Sequence, residues 1–194
     1  KERLSRPDTS LHIDSGDLFA EGVITDANKV QQLRVKAESF LEAWGEIGCD
    51  AIGVGEAEIS LGIKQLQELT EASGVPFLAS NIVDTKGDHP LTTSMILERS
   101  GMKIGLISLI ASKLEEAHVN KDKETPLGVH RVDKLLHTQG FRLQPWQDRA
   151  DELIAELRPQ VDMLFCVSHL GFKRNKLLAQ KHPELDLIFG GHFY

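Results

Sequence analysis

Four residues able to bind a metal ion each follow a short apolar run: Asp17, Glu56, His169 and His192. Leu11-His12-Ile13-Asp14 leads into the tight turn Ser15-Gly16-Asp17, and Ala51-Ile52-Gly53-Val54 leads into the loop Gly55-Glu56-Ala57-Glu58. Val161 to Val167 leads into Ser168-His169-Leu170-Gly171, and Leu185 to Phe189 leads into Gly190-Gly191-His192. Carboxylate oxygens with two imidazoles suit Zn, Mn or Fe. Glycines beside all four residues let the backbone crowd around an ion. Singly, each has an ordinary explanation, because a strand-end Asp caps a turn and a lone His is satisfied structurally. Four together, each at the carboxyl end of a strand where α/β sheets keep their chemistry, predict one metal-binding edge.

The elements that must carry these residues alternate in type. From Thr25 or Asp26 as N-cap, apolar residues at Val30, Leu33, Ala37, Phe40, Leu41, Trp44 and Ile47 follow helical spacing, closed by Gly48. Ile63, Leu66, Leu69 and Ala72 mark another helix, stopped by Gly74, and Pro76 to Ser80 reads as a strand reaching Asn81. Met95 to Glu98 and Lys103 to Leu109 flank Ser100-Gly101, which predicts an antiparallel hairpin and hence a mixed sheet. Between Lys113 and Phe141 the charge is high and periodicity is poor, so this stretch reads as an irregular surface insertion with His118, His130 and His137 solvated. Pro145 opens a helix carrying Trp146, Ala150, Leu153, Ile154 and Leu157, with Pro159 at its end. Val161 to Val167 is nearly continuously apolar, as in a strand buried on both faces.

Composition bounds the partners. The 194 residues, 41% hydrophobic and 26% charged, can bury the core of one α/β domain. A net charge of −7 argues against a nucleic-acid surface, which rewards clustered Lys and Arg. The longest apolar stretch falls far short of the ~20 residues that span a bilayer, so no membrane span is expected. Cys49 and Cys166 lie in apolar surroundings, form no C-x-x-C pair, and read as buried thiols.

The motifs resemble those of the binuclear, calcineurin-like metallophosphoesterases, on their 5′-nucleotidase branch. Asp14-Ser15-Gly16-Asp17 resembles D-A-G-D, and Gly48 to Gly62 resembles G-Y-D-A-x-x-x-G-N-H-E-F-D-x-G. Pro76 to Val83 is similar to P-x-L-x-A-N-V, Lys103 to Leu109 to K-I-G-V-I-G-L, Val161 to Gly171 to V-D-x-x-I-x-L-S-H-L-G, and Leu185 to His192 to I-D-V-I-x-G-G-H. The resemblance implies mixed β-sheet layers flanked by helices in an α/β/β/α order. It also implies two ions bridged by Asp17, with an activated water attacking phosphorus, and one of the ions held further by the Asn position, His169 and His192.

Three positions depart from that pattern. Glu56 stands where the motif has Asn, and Ala57 where it has the His that stabilises the transferring phosphoryl or leaving group. Tyr194 stands where the second His of G-H-x-H binds the other ion. The D-x-H motif that precedes D-A-G-D in the family is not in the sequence, so residues 1–194 are expected to form one domain lacking its first motif and its C-terminal portion, including the family's separate substrate domain. The expectation is at most one divalent transition-metal ion, Zn, Mn or Fe, on Asp17, Glu56, His169 and His192, with no catalytic residue assigned. Two functions follow: a degenerate domain with weak or no phosphomonoester hydrolysis that acts as a binding or interaction module, or an active metal-dependent nucleotide hydrolase with a rearranged site. A phosphorylated small molecule and a partner domain or protein are the expected partners, and the resemblance implies a periplasmic or extracellular home.

Overall fold

The computed structural model describes residues 9–111 and 127–192, without the side chains of 127–131. Strands β1 (Ile13–Asp14), β2 (Ala51–Gly53) and β3 (Phe77–Leu78) form a parallel sheet in that order. Strands β4 (Ile82–Asp84) and β7 (Phe141–Leu143) pair antiparallel. A four-stranded sheet orders β5 (Ser94–Arg99), β6 (Met102–Ile110), β8 (Met163–His169) and β9 (Leu187–Gly190). Its β5 is antiparallel and the rest parallel, the mixed sheet that the Ser100-Gly101 hairpin predicted.

Packing stacks these sheets into layers. Ala51, Leu78, Ile104, Leu106 and Phe165 fill the space between the three-stranded and four-stranded sheets. On the outer face of the first lie α1 (Ala27–Ile47), α2 (Glu56–Leu61) and α3 (Ile63–Ser73), which contribute Leu33, Leu41, Ile59, Leu66 and Leu69 to one core. On the outer face of the second lie α5 (Trp146–Leu157) and α6 (Phe172–Lys181), with Trp146, Leu153 and Leu178 packed against Ile107 and Leu109. The pleat explains the division along β6: Ile104 and Leu106 point between the sheets, Ile107 and Leu109 toward α5. Burial on both faces is why β6 and β8 read as unbroken apolar runs. The order helix, sheet, sheet, helix is the expected four-layer architecture.

Local rules set the boundaries. Asp26 caps α1 by accepting the Lys29 N–H at 3.0 Å, and Gly48, left-handed at φ 89°, closes it with its N–H on the Trp44 carbonyl. Gly74 ends α3 in the same way. Cys49 and Cys166 are both buried free thiols, as expected.

Three local expectations are corrected. The stretch read as an irregular insertion contains α4 (Leu127–Thr138) followed directly by β7. Val132 and Leu136, one turn apart, are buried in the core beside Leu143. Charged residues on the solvent side of the same helix hid that amphipathic stripe. Residues 112–126, including His118, and the side chain of His130 lie outside the described residues. Second, Glu56 does not sit in a loop but opens α2, every residue of which is buried. Third, Pro76 to Ser80 yields only a two-residue strand. Asn81 is buried and ties the end of β6 to the segment after β7, its amide donating to the Ile110 and Gln144 carbonyls and accepting the Ile110 N–H.

Candidate metal centre

Because β1 runs parallel to β2, and β8 to β9, all four carboxyl ends open on one edge. There Asp17, Glu56, His169 and His192 each offer a ligand atom, and these atoms lie within 4.8 Å of one another. Glu56 stands at the centre. Its Oε2 is 2.8 Å from His169 Nε2 and its Oε1 is 3.2 Å from His192 Nδ1. Asp17 Oδ2 approaches His169 Nε2 at 3.6 Å, and the two imidazoles meet edge to face with centroids 5.0 Å apart.

The ring of His169 is oriented from behind. Its Nδ1–H donates to the Ser15 carbonyl at 2.9 Å, since a carbonyl can only accept, and this aims Nε2 at the carboxylates. A histidine that spends one nitrogen on a backbone carbonyl and presents the other to a cluster is the usual arrangement of a metal ligand. Asp17 is likewise held, its Oδ1 accepting the Ala57 N–H at 2.8 Å and its Oδ2 the Gly22 N–H at 3.2 Å. Both Asp17 and His192 take positive φ, 58° and 62°, a conformation non-glycine residues seldom adopt outside turns and sites.

Close packing leaves no room for side chains between the ligands. A Cβ on Gly55 would lie 2.6 Å from Asp17 Oδ1 and 2.8 Å from His169 Cε1, and one on Gly191 would lie 2.9 Å from the Ser15 carbonyl oxygen. Glycine at these positions is therefore required by contact with the ligands.

Charges in the cluster are strongly coupled. Burial alone would raise the Glu56 carboxyl, but hydrogen bonds and charge from His169 and His192 outweigh it and hold the group well below the ordinary carboxylate range. Burial opposes charge on His169, yet the Glu56 hydrogen bond and the charges of Asp17 and Glu56 raise its pKa to about 9. Desolvation raises Asp17, against the Ala57 hydrogen bond. Two carboxylates and two imidazoles converging on one point match the oxygen and nitrogen donor set that a divalent transition metal accepts.

Ala57 presents only its backbone N–H to the cluster, and Tyr194 lies outside the described residues. One contributor was missed in the sequence. Glu58, fully buried, accepts the N–H groups of Asp17, Gly55 and Leu18 at 2.7, 2.9 and 3.1 Å. Burial raises its carboxyl to about 7 against the pull of those hydrogen bonds. Its signal was the spacing: a Glu three residues after Gly55 is the half of a capping box that folds back on the N-cap N–H.

The chain has the calcineurin-like phosphoesterase fold: YfkN of Bacillus subtilis, a calcineurin-like phosphoesterase, superposes with a TM-score of 0.67 at 19% identity, covering 94% of this chain and 57% of that one. Sequence narrows the class. The 5′-nucleotidase of Diplobatis ommata is 26% identical over 203 residues, covering 99% of this chain and 30% of the relative. That of Vibrio vulnificus is 26% identical over 171 residues, covering 80% of this chain and 28% of the relative. No protein-family model matches the chain. Fold and sequence together support the resemblance to the 5′-nucleotidase branch of the calcineurin-like metallophosphoesterases, and the chain spans less than a third of the length of these two curated relatives.

Proposed function

We propose that this domain binds a single divalent transition-metal ion, Zn, Mn or Fe, through Asp17, Glu56, His169 and His192, and through it a phosphorylated small molecule, with phosphomonoester hydrolysis slow or absent. The observation that carries the reading is the substitution of the motif's Asn-His pair by Glu56 and Ala57 in the middle of an otherwise assembled site. Glu56 places a second carboxylate beside Asp17 and against both imidazoles, which tightens the hold on one cation, whereas a second ion would keep only Asp17 of the motif's ligands and two ions sharing so few ligands would repel one another. Ala57 supplies no imidazole to protonate a leaving group or stabilise phosphoryl charge, and loss of such a group typically costs several orders of magnitude in rate. Ser60 falls on the aspartate of E-F-D, and its hydroxyl is engaged, accepting the Ile24 N–H and donating to the Glu56 carbonyl. When bound, the ion supplies Lewis-acid charge to phosphoryl oxygens. The chain's own residues then orient it: Ser15 through His169, and the Ala57 N–H through Asp17.

The relatives favour a second reading, since those named above are 5′-nucleotidases and another, from Tabanus yao, is an apyrase. In it the domain is an active phosphomonoester or nucleotide hydrolase with a rearranged site. Metal analysis by mass spectrometry, with turnover assayed on a nucleoside monophosphate and an aryl phosphate, separates the two. We expect no more than one ion per chain and turnover far below the ~10 per second ordinary for enzymes. Two firmly held ions, or ordinary turnover, would establish the second reading.

A partner domain or protein, and a periplasmic or extracellular location, belong to this proposal and rest on the resemblance to the branch. Among the described residues no helix is long and apolar enough to cross a membrane.

A further inference from the structure

Two of the four candidate ligands reach the centre from loops that follow neighbouring strands, β1 and β2, paired through Asp14 and Ile52. Asp17 follows β1 by three residues, in a left-handed conformation at φ 58°. Glu56 is the first residue of α2, after Gly55 as N-cap. What joins the two loops is the carboxylate of Glu58. Its Oε2 accepts the Asp17 N–H at 2.7 Å and the Gly55 N–H at 2.9 Å, and its Oε1 accepts the Leu18 N–H at 3.1 Å. A return bond runs the other way, from the Ala57 N–H to Asp17 Oδ1 at 2.8 Å. The side chain of Glu58 is fully buried and is not among the four residues that converge on the centre.

We propose that Glu58 is a positioning residue that clamps the Asp17 turn to the N-terminus of α2, so that Asp17 and Glu56 address the same ion. The inference rests on the metal reading above. Three N–H groups converge on the two oxygens of one buried side chain, and each of these bonds is strongest while the group is ionised. The clamp acts on a residue whose backbone needs support: the N–H of Asp17 is held by Glu58 while its φ is positive, a conformation that persists only where the surroundings over-determine it. Without the carboxylate, those N–H groups lose their acceptor in a buried place, the Asp17 turn relaxes, and its carboxylate leaves the centre. Glu58 thereby controls metal affinity without touching the metal. A Gln at this position keeps the volume but turns an NH2 group toward N–H donors.

The test is a double-mutant cycle read by Zn(II) titration calorimetry, on proteins first shown to be folded by circular dichroism. Glu58→Gln is expected to weaken Zn(II) binding about 10- to 100-fold, the range seen when a partner of a ligand is removed. In an Asp17→Ala background the same substitution is expected to change affinity less than threefold, because the ligand it positions is already gone. Glu58→Asp, which keeps the charge on a shorter arm, is expected to retain part of the affinity. Equal losses in both backgrounds would overturn the proposal, as would unchanged affinity in Glu58→Gln. If neither Glu58 variant folds, Glu58 is a determinant of the fold and the positioning role is overturned. Failure of the unsubstituted protein to bind Zn(II), Mn(II) or Fe(II) would instead overturn the metal reading itself, and the role of Glu58 with it.

Discussion

At the scale of single residues, the site is governed by what stands between Glu56 and its two imidazoles. In metal-free protein, His169 keeps a proton to a pKa of about 9, above its ordinary 6.5. A raised folded-state pKa contributes stability that is fully present below pH 6.5 and is lost as the pH rises through about 9. Chelator-treated protein should therefore unfold at progressively lower urea as the pH climbs across that window, and His169→Gln should remove this part of the slope. A slope identical in the two proteins would contradict the ion pair. Gly55 offers a second check, since its backbone conformation is open to any residue and only contact forbids a side chain. Gly55→Ala drives a methyl into Asp17 and His169 and should cost about 1–3 kcal/mol of stability, as overpacking does. Metal affinity should fall with it. Denaturation and metal titration of one protein read both effects.

At the scale of elements, the least legible helix gives the sharpest test. Helix α4 carries Leu136 fully buried against the core formed with α2 and β7. Leu136→Ala removes that contact and leaves a cavity, so chemical denaturation should show a loss of about 2–5 kcal/mol. A loss under ~0.5 kcal/mol, ordinary for surface positions, would mean that the segment does not pack as a helix on the core. Helix α1, by contrast, announced itself through Asp26, Gly48 and the Leu33, Ala37, Leu41 stripe, because both caps and the buried face are local features.

For the whole molecule, the proposed single-ion binding at the shared edge of two sheets would link the metal to folding. Asp17 and Glu56 come from one sheet, His169 and His192 from the other, so the site exists only when the two sheets are packed together. A ligand that binds only the folded state stabilises it by mass action, about 2.7 kcal/mol at 100 times its dissociation constant. Thermal unfolding of the intact chain should therefore move upward with added Zn(II) or Mn(II), and alanine at His169 or His192 should abolish the shift. An unchanged midpoint at saturating metal would refute single-ion binding at this edge.

The sequence by itself determined the strand ends, the main helices, the hairpin and the four candidate ligands, because periodicity, caps and glycine turns are written within a few residues of each other. It also held the motif order from which the branch was read. Only the tertiary structure decided that Glu56 opens a buried helix, that α4 hides its apolar stripe among charges, and that Asn81 and Glu58 spend their side chains on the backbone of distant segments. Those outcomes depend on partners tens of residues away: Asp17 lies 41 positions from Glu58, and Ser15 lies 154 from His169. Hydrogen bonds of that separation leave no period in the chain, since a side chain's partner is chosen by which strands the packed sheets bring together.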